Sequence, residues 1–325
     1  IFLYLLSVDK NMHKFNLNSS LENKLVILLY HGVTEDENTG IINYQGKHIN
    51  HIEFEKQISF VSKNCSLISI DDWLQIKKSD SEVPPYPTII SFDDGFKNNL
   101  SVAAPILKKY SAPCIFYISS GMIDSEKMFW VDIVEACIDS TSKASITLNL
   151  DQKITYNLIS HEDKVRALLD IKKYCKLSKN SQKNDVINEL IEATEINPDK
   201  KSHVNYQTLN WDEVRQLNSN QLFTIGGHTH THTILSSLEK DDLKYEIKHC
   251  LKKIAKELDQ DILHFSYPEG QAHHYNDEVI RILKENGIIC CPSAVNGVND
   301  YSEDFFHFKR VMVGFENTPF PHQIS

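Results

Sequence analysis

Short, continuous apolar runs alternate along the chain with segments whose apolar residues recur at helical spacing. Residues 24–33, KLVILLYHGV, stay apolar until they end in polar residues and glycine. Such a run is typical of a strand that is buried on both faces of a parallel sheet. Residues 51–64 then show helical spacing. A strand followed by a helix returns at 65–76 and at 88–110, where the helix is predicted over 98–110, and CIFYISSGM follows at 114–122. The alternation predicts an α/β fold whose parallel sheet, open or closed into a barrel, has helical crossovers.

The alternation is interrupted between about residues 122 and 207. This segment contains longer polar helical stretches and a predicted hairpin at 145–158. After it the strand and helix order resumes, with strands predicted at 262–270 and 288–295 among others. We interpret 122–207 as an insertion or cap at the substrate side, because long loops in barrels follow the carboxyl ends of strands and line the site. The predicted organisation is an N-terminal extension, 1–23, and one large domain, 24–325.

Composition and charge exclude some classes of protein. The chain has 325 residues, 41% hydrophobic content and a formal net charge of -10, and its 34 lysines and arginines are scattered. Without a basic tract there is no electrostatic footprint for nucleic acid. The first ten residues, IFLYLLSVDK, hold an apolar run of six, and no stretch approaches the roughly 18 apolar residues of a transmembrane helix. We therefore predict neither a nucleic-acid partner nor a transmembrane segment.

Cysteine usage bears on the compartment. Seven cysteines are dispersed along the chain without a CxxC pair, at positions 65, 114, 137, 175, 250, 290 and 291. An odd, dispersed set favours a reducing compartment. The expectation is a cytoplasmic protein, with peripheral membrane association and an upstream signal left open because the chain begins with Ile1.

Two adjacent acids follow one predicted strand. The stretch TIISFDDGF runs from Thr88 to Phe96 and presents Asp93 and Asp94 where the apolar run stops. In an α/β sheet the functional face lies at the carboxyl ends of the strands, so both carboxylates are candidate functional groups. The alternative is that the pair caps the following helix, where aspartate is favoured.

Three histidines follow a second predicted strand. In GGHTHTHTIL, His228, His230 and His232 come after the strand-like run LFTI. If the segment stays extended, all three imidazoles share one face; if it turns helical after Gly227, His228 and His232 lie one turn apart and His230 points elsewhere. In either geometry two imidazoles can converge with a carboxylate from a neighbouring strand end on one divalent cation.

These two stretches carry a resemblance to a known family. SFDDG at 91–95 and HTHTH at 228–232 resemble the first two motifs of the polysaccharide deacetylase family, also called the NodB-homology family or carbohydrate esterase family four. The upstream LLYHGV and the downstream FSYPEG resemble further segments of many bacterial members. The resemblance extends over roughly residues 24–313, with 122–207 as a variable insertion.

The resemblance implies a distorted (β/α) barrel with a largely helical insertion, which holds one divalent metal ion. Zinc is the first expectation for the metal, with cobalt, nickel or manganese as alternatives. Carried over by position, Asp93 is the general base, and Asp94, His228 and His232 are the metal ligands. Two imidazoles and one carboxylate leave open positions for water and an amide oxygen, and a second carboxylate can take the proton of the water.

Other residues are assigned to the substrate pocket. His230 occupies a variable motif position, so we expect it outside the ligand set. The candidate substrate-binding residues are those at the ends of predicted strands and one aromatic residue of the insertion: Tyr30, His31, Tyr267, Pro268 and Trp130. Capping of a strand, a simple turn or packing in the core are the alternatives for these residues, and also for Trp211.

The sequence departs from the family pattern in two places. Many members have an RxP[YF] motif whose arginine orients the catalytic aspartate, whereas this chain has Phe265 in that place. We expect Arg310, in FHFKRVMV where a late strand returns to the site, to replace that arginine; the alternatives are a surface position for Arg310 and a site without an orienting cation. The late LxH motif, whose histidine acts as general acid in many members, has no plain match, and His307 in FFHF is the candidate.

The expected function is that of a metal-dependent hydrolase, a polysaccharide deacetylase that removes an N-acetyl group from an amino sugar of a surface polysaccharide or of its precursor. Its expected partner is a carbohydrate that carries an N-acyl amino sugar. One alternative is an amidase or deformylase that acts on another N-acyl sugar. The other is a carbohydrate-binding barrel without catalysis, which the two departures from the family pattern motivate.

Overall fold

A central parallel sheet organises the chain. The computed structural model describes residues 19–37, 39–315 and 320–321. Residues 1–18 of the predicted extension, 1–23, therefore lie outside the described residues.

The sheet consists of six strands in the described residues: β1 Val26–Tyr30, β4 Ser66–Leu67, β5 Pro87–Phe92, β6 Cys114–Ile118, β9 Phe223–Gly227 and β10 Val311–Met312. They run in the order β10, β1, β5, β6 and β9, and the short β4 also pairs with β5.

Every pairing in this sheet is parallel, and β1, β5 and β6 are buried along their whole length. The continuous apolar runs of the sequence are therefore confirmed as strands covered on both faces. Two further strands, β2 (Gly32–Thr34) and β3 (His48–Asn50), form a separate parallel pair beside the first.

Short hydrogen-bonded segments continue the sheet beyond β9. The Gly227 N–H donates to the His264 carbonyl oxygen, and the Phe265 N–H donates to that of Cys290. The Arg310 N–H then donates to the Val295 carbonyl oxygen directly before β10, which pairs with β1. These links lead from one edge of the sheet back to the other, as the distorted barrel predicts.

Helices surround the sheet and begin at recognisable caps. The Asn50 side chain accepts the Ile52 N–H at the start of the helix predicted over 51–64, and Ser69 and Asp72 form a capping box at the next helix. Outside the 122–207 segment the helices are α1 His51–Asn64, α2 Ile70–Ser79, α3 Ala104–Lys109, α7 Trp211–Asn218, α8 Lys240–Leu258 and α9 Asp277–Glu285. Their apolar faces pack on the strands in one large hydrophobic cluster.

The 122–207 segment is mostly helical, as predicted. It holds α4 Trp130–Ser140, the antiparallel hairpin of β7 Ser145–Asn149 and β8 Lys153–Asn157, and then α5 His161–Leu177 and α6 Asn180–Thr194. These elements form a hydrophobic cluster of their own, separate from the cluster of the barrel. Ile41, from outside the segment, also packs in the cluster of the 122–207 segment. None of the helices in the described ranges combines the length and the apolar composition needed to cross a bilayer.

Two predicted strands are shorter in the structure than the sequence suggests. Residues 262–270 and 288–295 contribute isolated bridges in place of regular strands. Each segment contains a proline, Pro268 or Pro292, which has no backbone N–H to donate to a ladder. The predicted helix over 98–110 also begins irregularly, with a π-helical turn at Asn99–Ala103 before Pro105.

Candidate active site

The two aspartates follow β5 in an unusual backbone conformation. The Asp93 N–H donates to the Tyr30 carbonyl oxygen, which continues the ladder between β5 and β1 for one more residue. Asp94 then has a φ of 77°, a left-handed value that is uncommon for a residue with a side chain. Gly95 follows at 88°, and a Cβ there would lie 3.0 Å from the Ile118 side chain. The turn therefore needs this glycine, and it places both carboxylates at the carboxyl end of β5.

Neither aspartate caps a helix in the described structure. The π-helical turn that follows is preceded by Asn98, which makes no side-chain cap hydrogen bond. Both carboxylates are instead buried at the carboxyl edge of the sheet, with 3% and 4% of Asp93 and Asp94 exposed. The capping alternative is therefore wrong for this pair.

Arg310, directly before β10, binds Asp93 at the end of β5 in two places. Its Nη1 and Nη2 donate to the Asp93 Oδ1 and Oδ2 over 2.8 and 2.7 Å, a bidentate pair. The remaining N–H groups reach the Ser293 carbonyl oxygen and the hydroxyls of Ser91 and Ser266. The guanidinium is completely buried. All five donors are thus used, and the Asp93 carboxylate has one fixed orientation.

The charge state of Asp93 follows from this pair. Burial alone would raise the pKa of the Asp93 carboxyl, but the Arg310 guanidinium and the nearby His228 imidazole outweigh it and lower the pKa below its ordinary value. Asp93 is therefore a carboxylate at neutral pH, the form that can accept a proton.

The histidine loop adopts neither an extended strand nor a helix. β9 ends at Gly227, and Thr229 and His232 have left-handed φ values of 62° and 58°, so the loop bends away from the strand direction. The bend brings the rings of His228 and His232 to 5.0 Å from each other. His230 turns away and packs against His249, with its ring 4.3 Å distant. Two of the three imidazoles therefore face the carboxylates.

Asp94, His228 and His232 form one compact donor set. One ligand atom from each lies within 4.8 Å of the others, and the His232 Nε2 and His228 Nε2 are 3.2 and 3.6 Å from the Asp94 Oδ1. That oxygen is buried and accepts no hydrogen bond. A buried carboxylate oxygen without a hydrogen bond, facing two imidazole nitrogens, fits a divalent cation.

Neighbouring groups set the tautomer of one imidazole. The His228 Nδ1 lies 2.8 Å from the Ser266 carbonyl oxygen, which can only accept, so this nitrogen carries the hydrogen. Burial lowers the pKa of His228 to about 4, so the ring is neutral at neutral pH. Its Nε2 lone pair is therefore directed to the donor set.

Glu246 of α8 holds the loop between the two facing histidines. Its Oε2 accepts the N–H groups of His230 and Thr231 over 2.9 and 2.8 Å, and its Oε1 accepts the Thr231 hydroxyl over 2.7 Å. Three hydrogen bonds to one buried carboxylate hold this loop in its unfavourable left-handed backbone conformation.

The donor set opens into a cavity of about 510 Å³. The barrel contributes Asp93, Asp94, His228 and His232 to its wall, and α4 and α5 of the 122–207 segment contribute the opposite side. That side combines apolar and charged groups: Val131, Glu135, Leu169, Lys172, Lys173, Lys176 and Leu177. The cavity is large enough for a sugar-sized ligand.

The comparison with protein families agrees with this geometry. The model of the family described as polysaccharide deacetylase matches residues 80–290, well over half of the chain. The chain belongs to the polysaccharide deacetylase family. A comparison with curated protein sequences gave no match.

Solved structures of the family share the fold. The deacetylase PplD of Streptococcus pyogenes, solved in complex with acetate, is 14% identical, with a TM-score of 0.59 and coverage of 91% of this chain and 94% of that one. A de-N-acetylase from Aggregatibacter actinomycetemcomitans is 18% identical, with a TM-score of 0.58 and coverage of 92% and 98%. IcaB from Ammonifex degensii is 13% identical, with a TM-score of 0.55 and coverage of 90% and 92%. These similarities show the deacetylase fold and carry no residue roles.

The substrate-binding candidates of this polysaccharide deacetylase fall in four different places. His31 and Tyr267 line the main cavity, as expected for substrate contacts. Pro268 is buried beside Tyr267 without lining the cavity. Tyr30 is in the core, where its hydroxyl donates to the Gln57 Oε1. Trp130 lines an adjoining cavity, considered below.

His307 and Trp211 also lie away from the donor set. The His307 imidazole is half exposed and lies 2.9 Å from an Asp304 carboxylate oxygen, and His307 is not among the residues that line the main cavity. Trp211 is buried in the core against α8. The structure therefore does not bring the candidate general acid of the deacetylase to the carboxylates.

Sequence reasoning missed several residues of the deacetylase cavity. Glu269 and His274 line it, and Glu269 forms a 3.3 Å ion pair with Lys176 of α5. Lys172 lies 3.8 Å from Glu135, and both side chains are almost fully buried. The sequence predicted only a turn for the PEG stretch at 268–270. Nothing in its local pattern indicates that Glu269 contacts α5, some ninety residues earlier in the chain.

Proposed function

We propose that this polysaccharide deacetylase removes an N-acetyl group from an amino sugar of a surface polysaccharide or of its precursor, with one divalent metal ion. The observation that supports this most strongly is the donor set of Asp94, His228 and His232 beside an Asp93 carboxylate that Arg310 fixes. Zinc is the metal we propose first, because two imidazoles and one carboxylate are ligands that zinc favours in hydrolytic sites.

The residues divide the reaction between them. A bound divalent ion would acidify a water molecule and polarise the acyl carbonyl. Asp93 would accept the proton of that water, and Arg310 would hold the carboxylate in place without taking part in proton transfer. The surrounding walls, which include His31 and Tyr267, would orient the sugar and limit access of bulk water.

The position of Arg310 bears on the alternatives. Phe265 stands where many family members have the arginine that orients the catalytic aspartate, and this was one reason to consider a carbohydrate-binding barrel without catalysis. Because Arg310 supplies a guanidinium to Asp93 from a later segment, that reason is weaker. An amidase or deformylase would use the same groups, so only a panel of N-acyl substrates separates it from a deacetylase.

The test of the proposed function is release of acetate from N-acetylglucosamine oligosaccharides. We expect activity in the purified protein, loss of activity with a chelator, and recovery when zinc is restored. His228→Ala and His232→Ala should lose stoichiometric metal, because each removes one of three ligands. His230→Ala is the matched control, since its ring faces His249 and Ser120. If His230→Ala loses the metal while His232→Ala keeps it, the assignment of the ligands is wrong.

We also propose that 122–207 is a cap which shapes substrate use. Two of its helices line the main cavity, and Lys176 links α5 to Glu269 of the barrel. The carbohydrate would therefore touch α5 while the metal ligands all come from the barrel.

This division of the cavity makes a testable prediction. Leu169→Ala and Lys173→Ala on α5 should lower kcat/KM for oligosaccharides several-fold and leave metal affinity unchanged, because both side chains line the cavity and neither is a ligand. Arg166→Ala is the control, an exposed residue of the same helix outside the cavity wall. Steady-state kinetics and metal titration measure both quantities. Unchanged kinetics in both α5 variants would contradict a substrate role for this face.

A further inference from the structure

A second cavity adjoins the first at His232. It has a volume of about 590 Å³ and lies between the loop after β6, the start of α4 and one face of α6. The side chain of His232 lines both cavities. A ligand bound at the donor set would therefore have a neighbouring space on the far side of this imidazole.

The lining of the second cavity is positively charged. Lys127 and Lys183 contribute two ammonium groups, and no Asp or Glu occurs among the described residues that line it. In contrast, each buried lysine of the main cavity has a carboxylate near it, as Lys172 has Glu135. The second cavity thus has an excess of positive charge and suits an anionic group.

Lys183 is the decisive residue. The residue is 7% exposed, and no ion pair joins its ammonium to a carboxylate in the described part of the chain; the Glu269 carboxylate attracts it from a greater distance. The ammonium lies 5.8 Å from the centre of the Trp130 ring, which also lines the cavity. Burial lowers the pKa of this lysine. Because buried charges are normally paired, an ammonium held by an aromatic ring beside an open cavity is suited to a ligand anion.

Asparagines complete the surface. Asn180, Asn184 and Asn188 follow one another at intervals of four residues, so they lie along one face of α6 and line the cavity. An amide side chain both donates and accepts hydrogen bonds, which matches the hydroxyl and acetamido groups of sugars. The combination of amides with an unpaired ammonium differs from an ordinary solvated helix face.

We propose that this cavity is a subsite for an anionic group that the substrate carries next to its N-acyl sugar. The inference rests on the proposed function, since it places the N-acyl sugar at the donor set. Two sources share the required chemistry: the carboxylate of an acidic neighbouring sugar in a glycan, and the phosphate of a nucleotide-linked or lipid-linked precursor. Lys183 pairs with the anion, and the asparagines of α6 bind the hydroxyls around it.

The test compares three probes by calorimetric titration: fully N-acetylated chitotetraose, which is neutral and is called chitotetraose below, a hyaluronan tetrasaccharide with glucuronate, and UDP-N-acetylglucosamine. The protein carries Asp93→Asn, so that the probes are not turned over. We expect one charged probe to bind about tenfold more tightly than chitotetraose, or more, as a charge-assisted contact with a buried ammonium provides. Which charged probe is preferred identifies the source of the anion. Equal affinity for neutral and charged probes would overturn the subsite.

Variants of α6 make the test specific. Lys183→Met should remove the preference for the charged probe, because it keeps the volume and deletes the ammonium. Asn184→Asp, at an exposed position that does not endanger folding, should weaken the charged probe by placing a carboxylate in the same cavity. Lys256→Met, exposed on α8, is the control. If both Lys183→Met and Asn184→Asp still bind the charged probe more tightly than the neutral one, the proposal is wrong.

The two proposals fail separately. A charged-probe preference without acetate release in the wild-type protein would support the subsite and reject the deacetylase function. Acetate release without any such preference would support the function and reject the subsite alone.

Discussion

Asp93→Asn is expected to keep metal affinity and to lose activity by roughly 10²–10⁴-fold, the contribution of a positioned acid or base. Asparagine is nearly isosteric with aspartate, and its amide oxygen can still accept a hydrogen bond from Arg310. It cannot take the proton of a water molecule. The rate of acetate release and a metal titration on the same preparation measure the two effects.

Asp94→Asn should lose metal affinity first, and its loss of activity should follow from the loss of metal. The Asp94 Oδ1 faces both imidazoles, so its replacement removes the charged ligand of the donor set. Metal affinity falls first, and activity returns in part with excess metal. Asp212→Asn, whose side chain is 91% exposed, is the control for an amide substitution. If Asp93→Asn turns over substrate almost normally with metal bound, the general-base assignment is rejected.

Arg310→Met is expected to lower the free energy of unfolding by about 3–5 kcal/mol, because it leaves the Asp93 carboxylate buried without its partner. Activity should fall as well, since the carboxylate loses its fixed orientation. Chemical denaturation followed by circular dichroism measures the change in stability. Arg281→Met is the matched control: its ion pairs with Glu278 and Glu285 are on the surface, so we expect little change.

A double substitution separates lost pairing from lost packing. Combining Arg310→Met with Asp93→Asn removes the guanidinium and the opposing charge together, so part of the lost stability should return. If Arg310→Met alone is as stable as the wild type, the pair contributes nothing to folding and the clamp is not structural.

Much of the fold and the donor set could be predicted from sequence. The apolar runs of β1 and β5 predict buried parallel strands, and parallel strands bring their carboxyl ends to one edge, so DDG and HTHTH were expected at the same edge of the sheet. The choice of Asp94, His228 and His232 as ligands was implied by the family resemblance. The segments at 262–270 and 288–295 were predicted as strands from their apolar content. Their prolines limit regular pairing, and hydrophobic pattern alone does not weigh that effect.

The walls of the site were harder to predict than its centre. Arg310 could be proposed because a late strand returns to the site, and the structure places it on Asp93. His307 is only three residues earlier, but its neighbours Phe306 and Phe308 are buried in the core, and the His307 side chain lies half exposed beside Asp304. The contacts of α5 with Glu269 depend on how the 122–207 segment packs on the barrel, which local periodicity does not determine.

The hydrogen bonds of Arg310 also bear on the order of folding. Its guanidinium joins three separated parts of the chain, and its contact with Asp93 spans 217 residues. Contacts of such long sequence separation require closure of a large loop. Until the segment around Arg310 docks, the Asp93 carboxylate has no guanidinium beside it. We therefore expect the candidate base to take its fixed orientation only when this segment joins the sheet.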